Sequence, residues 1–255
     1  MLVARDGAIA TVTFNKPERL NALDKAMWQR LGELMRELSA DDSLRCVVLR
    51  GAGGKAFAAG ADIAEFATER RDRAQARRYG ELIHETMQSV ARCRRPTVAL
   101  IQGACVGGGL EIAAMCDMRI CGESSRFGVP INRLGLTMGY GELQGLLGLV
   151  GKAAALEILL EGRVFNAGEA FRMGLVNRVV ADEAVETEAY ATAERIAAGA
   201  PLVARWHKQY IERLTPTVPI PPDVWDEGYA CFDTEDYRIG VDAFLAKRKP
   251  RFKGR

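Results

Sequence analysis

Glu111 is the side chain whose neighbours best suit it to proton transfer. Leu110, Ile112, Ala113, Ala114 and Met115 flank it with apolar groups, and burial raises a carboxyl pKa toward values useful for general acid–base work. It also follows Gly107-Gly108-Gly109 at an expected helix start, where the helix dipole opposes that shift and offers a plainer stabilising role. Two small-residue segments supply the other half of a site: Lys55-Ala56-Phe57-Ala58-Ala59-Gly60-Ala61-Asp62 and Gly103-Ala104-Cys105-Val106-Gly107-Gly108-Gly109-Leu110-Glu111. Turns with little side-chain bulk let backbone N–H groups meet a ligand directly. Two such turns facing one point can hold a single oxygen between two amides, the geometry that stabilises an enolate or oxyanion. Taken one at a time, the same glycines serve simply as tight strand-to-helix turns.

The elements that must position these segments follow from hydrophobic spacing. A strand is expected at Ala8 to Phe14, with a turn at Asn15-Lys16-Pro17. Asp24 caps a helix through Ser39, because Met27, Leu31, Leu34, Met35 and Leu38 recur at three- and four-residue spacing. β-Branched runs at Cys46 to Arg50 and Thr97 to Ile101 read as buried strands that feed the two glycine segments. Residues 63 to 93 begin charged and end amphipathic, with Leu82, Ile83, Met87 and Val90 on one face. Arg70, Arg71, Arg73, Arg77 and Arg78 there, partly balanced by Glu65, Glu69 and Asp72, read first as a solvated helix at a pocket rim and second as phosphate steering. Short strands at Met118 to Cys121 and Arg126 to Val129 complete an α/β order. After Gly151 the pattern turns helical. Asn166 and Gly174 bracket a short helix, Gly199-Ala200-Pro201 breaks the next, Pro216 to Pro222 form a loop, and a last helix runs from about Thr234 to Lys247.

Composition excludes several classes. The chain has 255 residues with 48% hydrophobic and 27% charged content, ordinary for a soluble globular protein with one full core. A net charge of +2 gives no case for nucleic acid or a membrane surface. Arg5 and Asp6 interrupt the opening before an apolar stretch builds, and no run reaches the roughly eighteen apolar residues of a membrane span. The six cysteines form no CxxC pair, so a reduced, cytoplasmic protein is expected. Its two histidines, His84 and His207, have no ligand-spaced partner, which argues against a metal centre or a Ser-His-Asp triad. Both are read as structural.

In order along the chain, four segments resemble the crotonase superfamily, also called the enoyl-CoA hydratase/isomerase family. They are Asn15-Lys16-Pro17-Glu18-Arg19-Leu20-Asn21-Ala22-Leu23, Ala56-Phe57-Ala58-Ala59-Gly60-Ala61-Asp62-Ile63, Gly107-Gly108-Gly109-Leu110-Glu111-Ile112-Ala113, and Phe244-Leu245-Ala246-Lys247-Arg248-Lys249-Pro250. The resemblance implies an α/β spiral of ββα units over residues 1–195 and a helical trimerisation region over 196–255. It implies a homotrimer or dimer of trimers and an acyl-CoA thioester substrate. Coenzyme A then arrives as part of the substrate, with no permanently bound cofactor, no metal, and no nucleic-acid or membrane partner. By position, the backbone N–H groups of Ala58 and Gly108 form the oxyanion hole, and Glu111 matches the first of the two glutamates used by hydratases of this family. Coenzyme A is held mainly by backbone: Ala22, Ala59, Gly60 and Ala61 belong to its site, the Ala56 carbonyl lies near the adenine amino group, and Asp62 and Ile63 line the approach. Lys247 matches a lysine that reaches a CoA phosphate, with Lys16 and Arg19 as further charge.

The chain departs from the family at the second glutamate. Its slot in Phe127-Gly128-Val129-Pro130-Ile131 holds Ile131, which cannot transfer protons. Asn132, Tyr140 and Glu142 are the substitutes within reach along the chain, each with an equally weighty structural role as turn residue, core ring and helix-start charge. The activity implied is enoyl-CoA hydratase (lyase) through an oxyanion-stabilised thioester enolate. Alternatives are an enoyl-CoA isomerase, a malonyl-type acyl-CoA decarboxylase, and a non-catalytic CoA-binding subunit. The histidine that some of those decarboxylases place after the Ala-Gly of the first motif is Ala61 here.

Overall fold

The chain opens with an antiparallel hairpin of Leu2–Asp6 (β1) on Ile9–Phe14 (β2). Every residue of β1 is exposed, so no hydrophobic pattern announces it, whereas β2 alternates buried and half-buried as the sequence leads one to expect. The computed structural model describes residues 1–215 and 226–253, so the proline-rich stretch 216–222 lies outside the described residues. Lys25–Ala40 (α1) follows, with Asp24 accepting the Met27 N–H at 2.8 Å and all five of the spaced apolar residues buried. Capping of this kind stabilises a helix by about 1 kcal/mol.

From there one unit repeats: a long strand, a short strand, then helix. Cys46–Gly51 (β3) is followed by Ala56–Ala58 (β4) and the helices Phe66–Glu69 (α2) and Arg73–Ala91 (α3). Thr97–Ile101 (β5), Ala104–Val106 (β6) and Gly108–Met115 (α4) form the second unit. The third is Met118–Gly122 (β7), Arg126–Gly128 (β8), a 3-10 turn at Pro130–Leu134, and Tyr140–Glu161 (α5). The long strands join a six-stranded sheet in the order β1-β2-β3-β5-β7-β10, and the short ones a four-stranded sheet β4-β6-β8-β9. Phe165–Asn166 (β9), Ala167–Arg172 (α6) and Arg178–Val180 (β10) complete both sheets. This is the spiral of ββα units. Its short strands β4 and β6 sit inside the two glycine segments, which spacing alone reads only as turns; three residues are too few to carry a period.

Alternation along the long strands divides the core. Val47, Leu49, Ala99 and Ile101 face the main cluster, while Cys46, Val48, Val98 and Leu100 pack on Val185, Ala189 and Ala193 of Val185–Ala198 (α7). Helix α7 runs through residue 195 to Ala198. Pro201–Leu214 (α8) then buries no residue, and Leu202, Trp206, Tyr210, Ile211 and Leu214 are exposed. Glu235–Leu245 (α9) is capped by Thr234, whose Oγ1 accepts the Tyr237 N–H at 3.0 Å. Among the described residues one helix, α5, is long and apolar enough by length and composition to cross a membrane, although Lys152 and Glu157 interrupt its apolar run. Gly151 at φ 70° breaks it in two, and Glu142 is buried within it. All six cysteines are free thiols, five of them buried.

Candidate active site

Backbone packs on backbone where the two glycine segments meet. Strands β4 and β6 are parallel neighbours, and the Ala104 N–H donates to the Lys55 carbonyl at 3.1 Å. A Cβ on Gly103 would stand 2.0 Å from the Lys55 oxygen, and one on Gly109 would stand 2.2 Å from the Ala58 oxygen. Only glycine permits either approach. The Asn15–Leu23 segment wraps the first turn from outside: Ala59 N–H donates to Leu20 O at 3.0 Å and Leu23 N–H to Gly60 O at 2.8 Å. Asn21, fully buried at φ 56°, donates from Nδ2 to the carbonyls of Ala52 (3.0 Å) and Ala56 (2.8 Å).

These bonds sort the amides. The Gly107 N–H is committed to Gly128 O at 2.9 Å, with Gly107 at φ 51° as the N-cap of α4. Gly108 is the first residue of that helix, a position whose N–H has no intrahelical partner and which carries the positive end of the dipole. Its nitrogen lies 3.7 Å from where a Cβ on Gly60 would be, so the two turns present their backbones to one place.

That place is a cavity of about 360 Å³, and its wall includes Ala59, Gly60, Ala61, Ile63, Gly108, Glu111, Ile131 and Tyr140. Other residues implied by the resemblance stand elsewhere. Ala58 is fully buried behind the wall at the end of β4. Ala56 is buried too, and its carbonyl is taken by Asn21. Ala22 sits on the Asn15–Leu23 segment with its N–H on Arg19 O. Asp62 bonds Lys16 at 3.2 Å and Arg19 at 2.9 Å, and Lys16 also bonds Asp24 at 3.0 Å, so those two cations are engaged within the protein. Lys247, exposed at φ 51°, lies just past the end of α9 and outside the wall, although Phe244 of that helix reaches it. Asn132 leaves the site as well: its Nδ2 donates to Leu160 O at 2.9 Å, tying the 3-10 turn to the end of α5.

Glu142 enters instead. It is 8% exposed on the first turn of α5, where Gly139 leaves room: a Cβ there would come 2.4 Å from Glu142 Oε2. Two carboxyls therefore share one cavity. Burial first, and the Glu142 charge second, push Glu111 up to about 8 against the pull of Arg70. Burial also raises Glu142, against its own backbone N–H and Arg70. The cavity thus favours a pair in which one carboxyl keeps its proton.

Arg70 is the third charge, and the structure corrects its reading as a solvated rim residue. Its Cζ lies 4.0 Å from the Tyr79 ring centroid and 4.8 Å from that of Phe66, and its side chain reaches the cavity wall. Its Nε and Nη2 are buried with no hydrogen-bond partner among the described residues, an arrangement that costs about 1–3 kcal/mol per donor. None of the ion pairs among the described residues joins it to Glu111 or Glu142. Sequence reasoning also missed Trp28 and His84, which line the cavity from the inner faces of α1 and α3. Burial, aided by Arg92, holds the His84 pKa below its ordinary value. From the sequence His84 reads as structural, and Trp28 carries no signal of its own. No group of three metal-ligating side chains occurs among the described residues.

Comparison with known proteins gives the family and the fold. Residues 4–255 match the family described as enoyl-CoA hydratase/isomerase. The short-chain-enoyl-CoA hydratase of Clostridium acetobutylicum is 34% identical over 98% of this chain and 95% of its own. Among solved structures, an enoyl-CoA hydratase/carnithine racemase from Magnetospirillum magneticum is 51% identical with a TM-score of 0.83, covering 99% of this chain and 95% of that one. A methylmalonyl-CoA decarboxylase solved in complex with 2-nitronate-propionyl-CoA is 27% identical with a TM-score of 0.86, covering 100% and 98%. The ββα spiral and its backbone-lined cavity define an enzyme of the crotonase class. Within it, the chain belongs to the enoyl-CoA hydratase/isomerase family.

Proposed function

We propose that the protein is an enoyl-CoA hydratase (lyase) in which Glu111 and Glu142 work as the carboxylate pair, Glu142 taking the part that Ile131 cannot play. The observation that carries this reading is that half-buried Glu111 and buried Glu142 line one cavity together with Gly108. In the reaction, the thioester carbonyl oxygen accepts from the N–H of Gly108 on the cavity wall and, as the resemblance implies, from that of Ala58 at the end of β4 behind it. The ionised member of the pair takes a proton from water as the oxygen bonds to C3, and electrons move from the double bond to the thioester oxygen. The protonated member then delivers its proton to C2 and the carbonyl re-forms. Each oxyanion donor contributes on the order of 3–4 kcal/mol to such a transition state. The substrate's coenzyme A runs out past Ala61, Asp62 and Ile63.

Loss of the conjugated thioester absorbance on adding crotonyl-CoA tests this. Glu111→Gln and Glu142→Gln are each expected to slow hydration by about 10²–10⁴-fold. Full activity in Glu142→Gln would remove that residue from the mechanism. Ile131 on the cavity wall favours a second reading, isomerisation of a 3-enoyl-CoA, which needs one base to carry a proton between carbons. The likeness to a methylmalonyl-CoA decarboxylase makes release of CO2 from a malonyl-type thioester the third reaction to assay. A thioester that raises the melting temperature but never turns over would favour a non-catalytic CoA-binding subunit. The unburied apolar residues of α8 support self-association as a trimer or a dimer of trimers, read by light scattering.

A further inference from the structure

We infer that Arg70 is a specificity-determining residue that grips a carboxylate carried by the acyl group itself, so that the preferred substrates are thioesters of dicarboxylic acids. The inference rests on the acyl-CoA reading and adds the chemistry of the acyl end. Its basis is the way the guanidinium is held. The ring faces of Tyr79 and Phe66 lie 4.0 and 4.8 Å from its Cζ. Contact of this kind holds the cation in place through the ring quadrupoles and does not itself use up its hydrogen-bond donors. The two buried donors without a partner, Nε and Nη2, lie along one edge. That edge presents two parallel N–H bonds, the fork that matches both oxygens of one carboxylate.

The surroundings offer it the Tyr79 hydroxyl as a hydrogen-bond partner, but no ion-paired carboxylate among the described residues. Arg70 makes no ion pair with Glu111 or Glu142 among the described residues, although all three line the same cavity. The arginine is fixed from behind as well, since its carbonyl accepts the Tyr237 hydroxyl at 2.6 Å and its N–H bonds Phe66 O at 3.1 Å. A neutral acyl chain would leave both donors dry and unpaired, a loss that sites built for a polar group use to reject apolar analogues. The raised carboxyl pKa values leave the arginine's charge only partly balanced, which favours an anionic ligand.

Two pairs of thioesters test this with the full-length protein. Titration calorimetry compares glutaryl-CoA with pentanoyl-CoA, which needs no turnover, and kinetics compare glutaconyl-CoA with 2-pentenoyl-CoA. The expected result is a preference for the carboxylated member of each pair by about ten- to a hundredfold, the scale of a charge-assisted hydrogen bond. Arg70→Gln should erase the preference, and Arg70→Lys, which keeps the charge but loses the fork, should restore only part of it. The ratio within each pair is what is read, because Arg70 also faces the two glutamates. A wild-type protein that binds pentanoyl-CoA as tightly as glutaryl-CoA overturns the inference whether or not the variants fold. Equal losses on both members in Arg70→Gln overturn it too, since the arginine then acts only through Glu111 and Glu142. If no thioester binds at all, the acyl-CoA reading itself fails, and this inference with it.

Discussion

Gly109 and the carbonyl of Ala58 are in direct backbone contact: a single added methyl group would lie 2.2 Å from that oxygen. Gly109→Ala must therefore push apart the strand end and helix start that frame the cavity. Activity should fall by at least about a hundredfold, the scale on which a misplaced donor is felt, with a stability loss of about 1–3 kcal/mol. Gly148→Ala is the matched control, because nothing lies within 4 Å of its Cβ position on the exposed side of α5. It should be neutral or slightly stabilising. Equal behaviour of the two variants in activity and urea unfolding would refute the contact.

Asn21 holds the first turn through two carbonyls and adopts φ 56°. Asn21→Ala should destabilise the protein by about 2–4 kcal/mol, since it strands two buried acceptors and strains the backbone. Asn21→Gly relieves the strain and should recover roughly 1 kcal/mol. Denaturation midpoints that do not rank wild type, glycine, alanine would show that the bonds carry no weight.

Glu111 titrates near 8 in the folded protein against an ordinary 4.5. Between those values the folded state keeps a proton that the unfolded chain has released, so stability falls as pH rises through that window. Glu111→Gln removes the effect. Its stability relative to wild type should climb from about pH 5 to about pH 8, by at most about 1.4 kcal/mol per unit. A difference that stays flat across the window would mean the carboxyl ionises freely.

Ile131→Glu places a third carboxyl in the cavity. With Glu142 present, hydration of crotonyl-CoA should not rise, because three acids sharing one cavity repel. In the Glu142→Gln background the same substitution should recover at least about tenfold of the lost rate. Recovery in neither background would sink the exchange of roles between positions 131 and 142.

What the sequence made legible was whatever local physics decides. Helix α1 could be read because Asp24 and five spaced apolar residues determine it, and α9 because Thr234 caps it. The ββα spiral followed from the four-segment resemblance. Strand β1 stayed hidden because none of its side chains is buried. The site was half legible. Glu111 could be weighed from its own neighbours and Gly108 came from the resemblance, but the burial of Glu142 depends on how α5 enters the core, and Arg70 looks like any member of an arginine-rich run until Tyr79 and Phe66 close over it. Charge counts in a segment cannot tell the one arginine that turns inward from four that do not.

The stacking of Lys55 on Gly103 and of Ala58 on Gly109 divides what can vary in this molecule from what cannot. Peptide groups form that junction, so mutation can alter it only by inserting atoms where there is no room. The rest of the wall, which includes Ile63, Arg70, Ile131 and Tyr140, offers side chains that can be exchanged one at a time. Substrate preference in this scaffold can therefore be rewritten from one side while the polarising frame stays untouched.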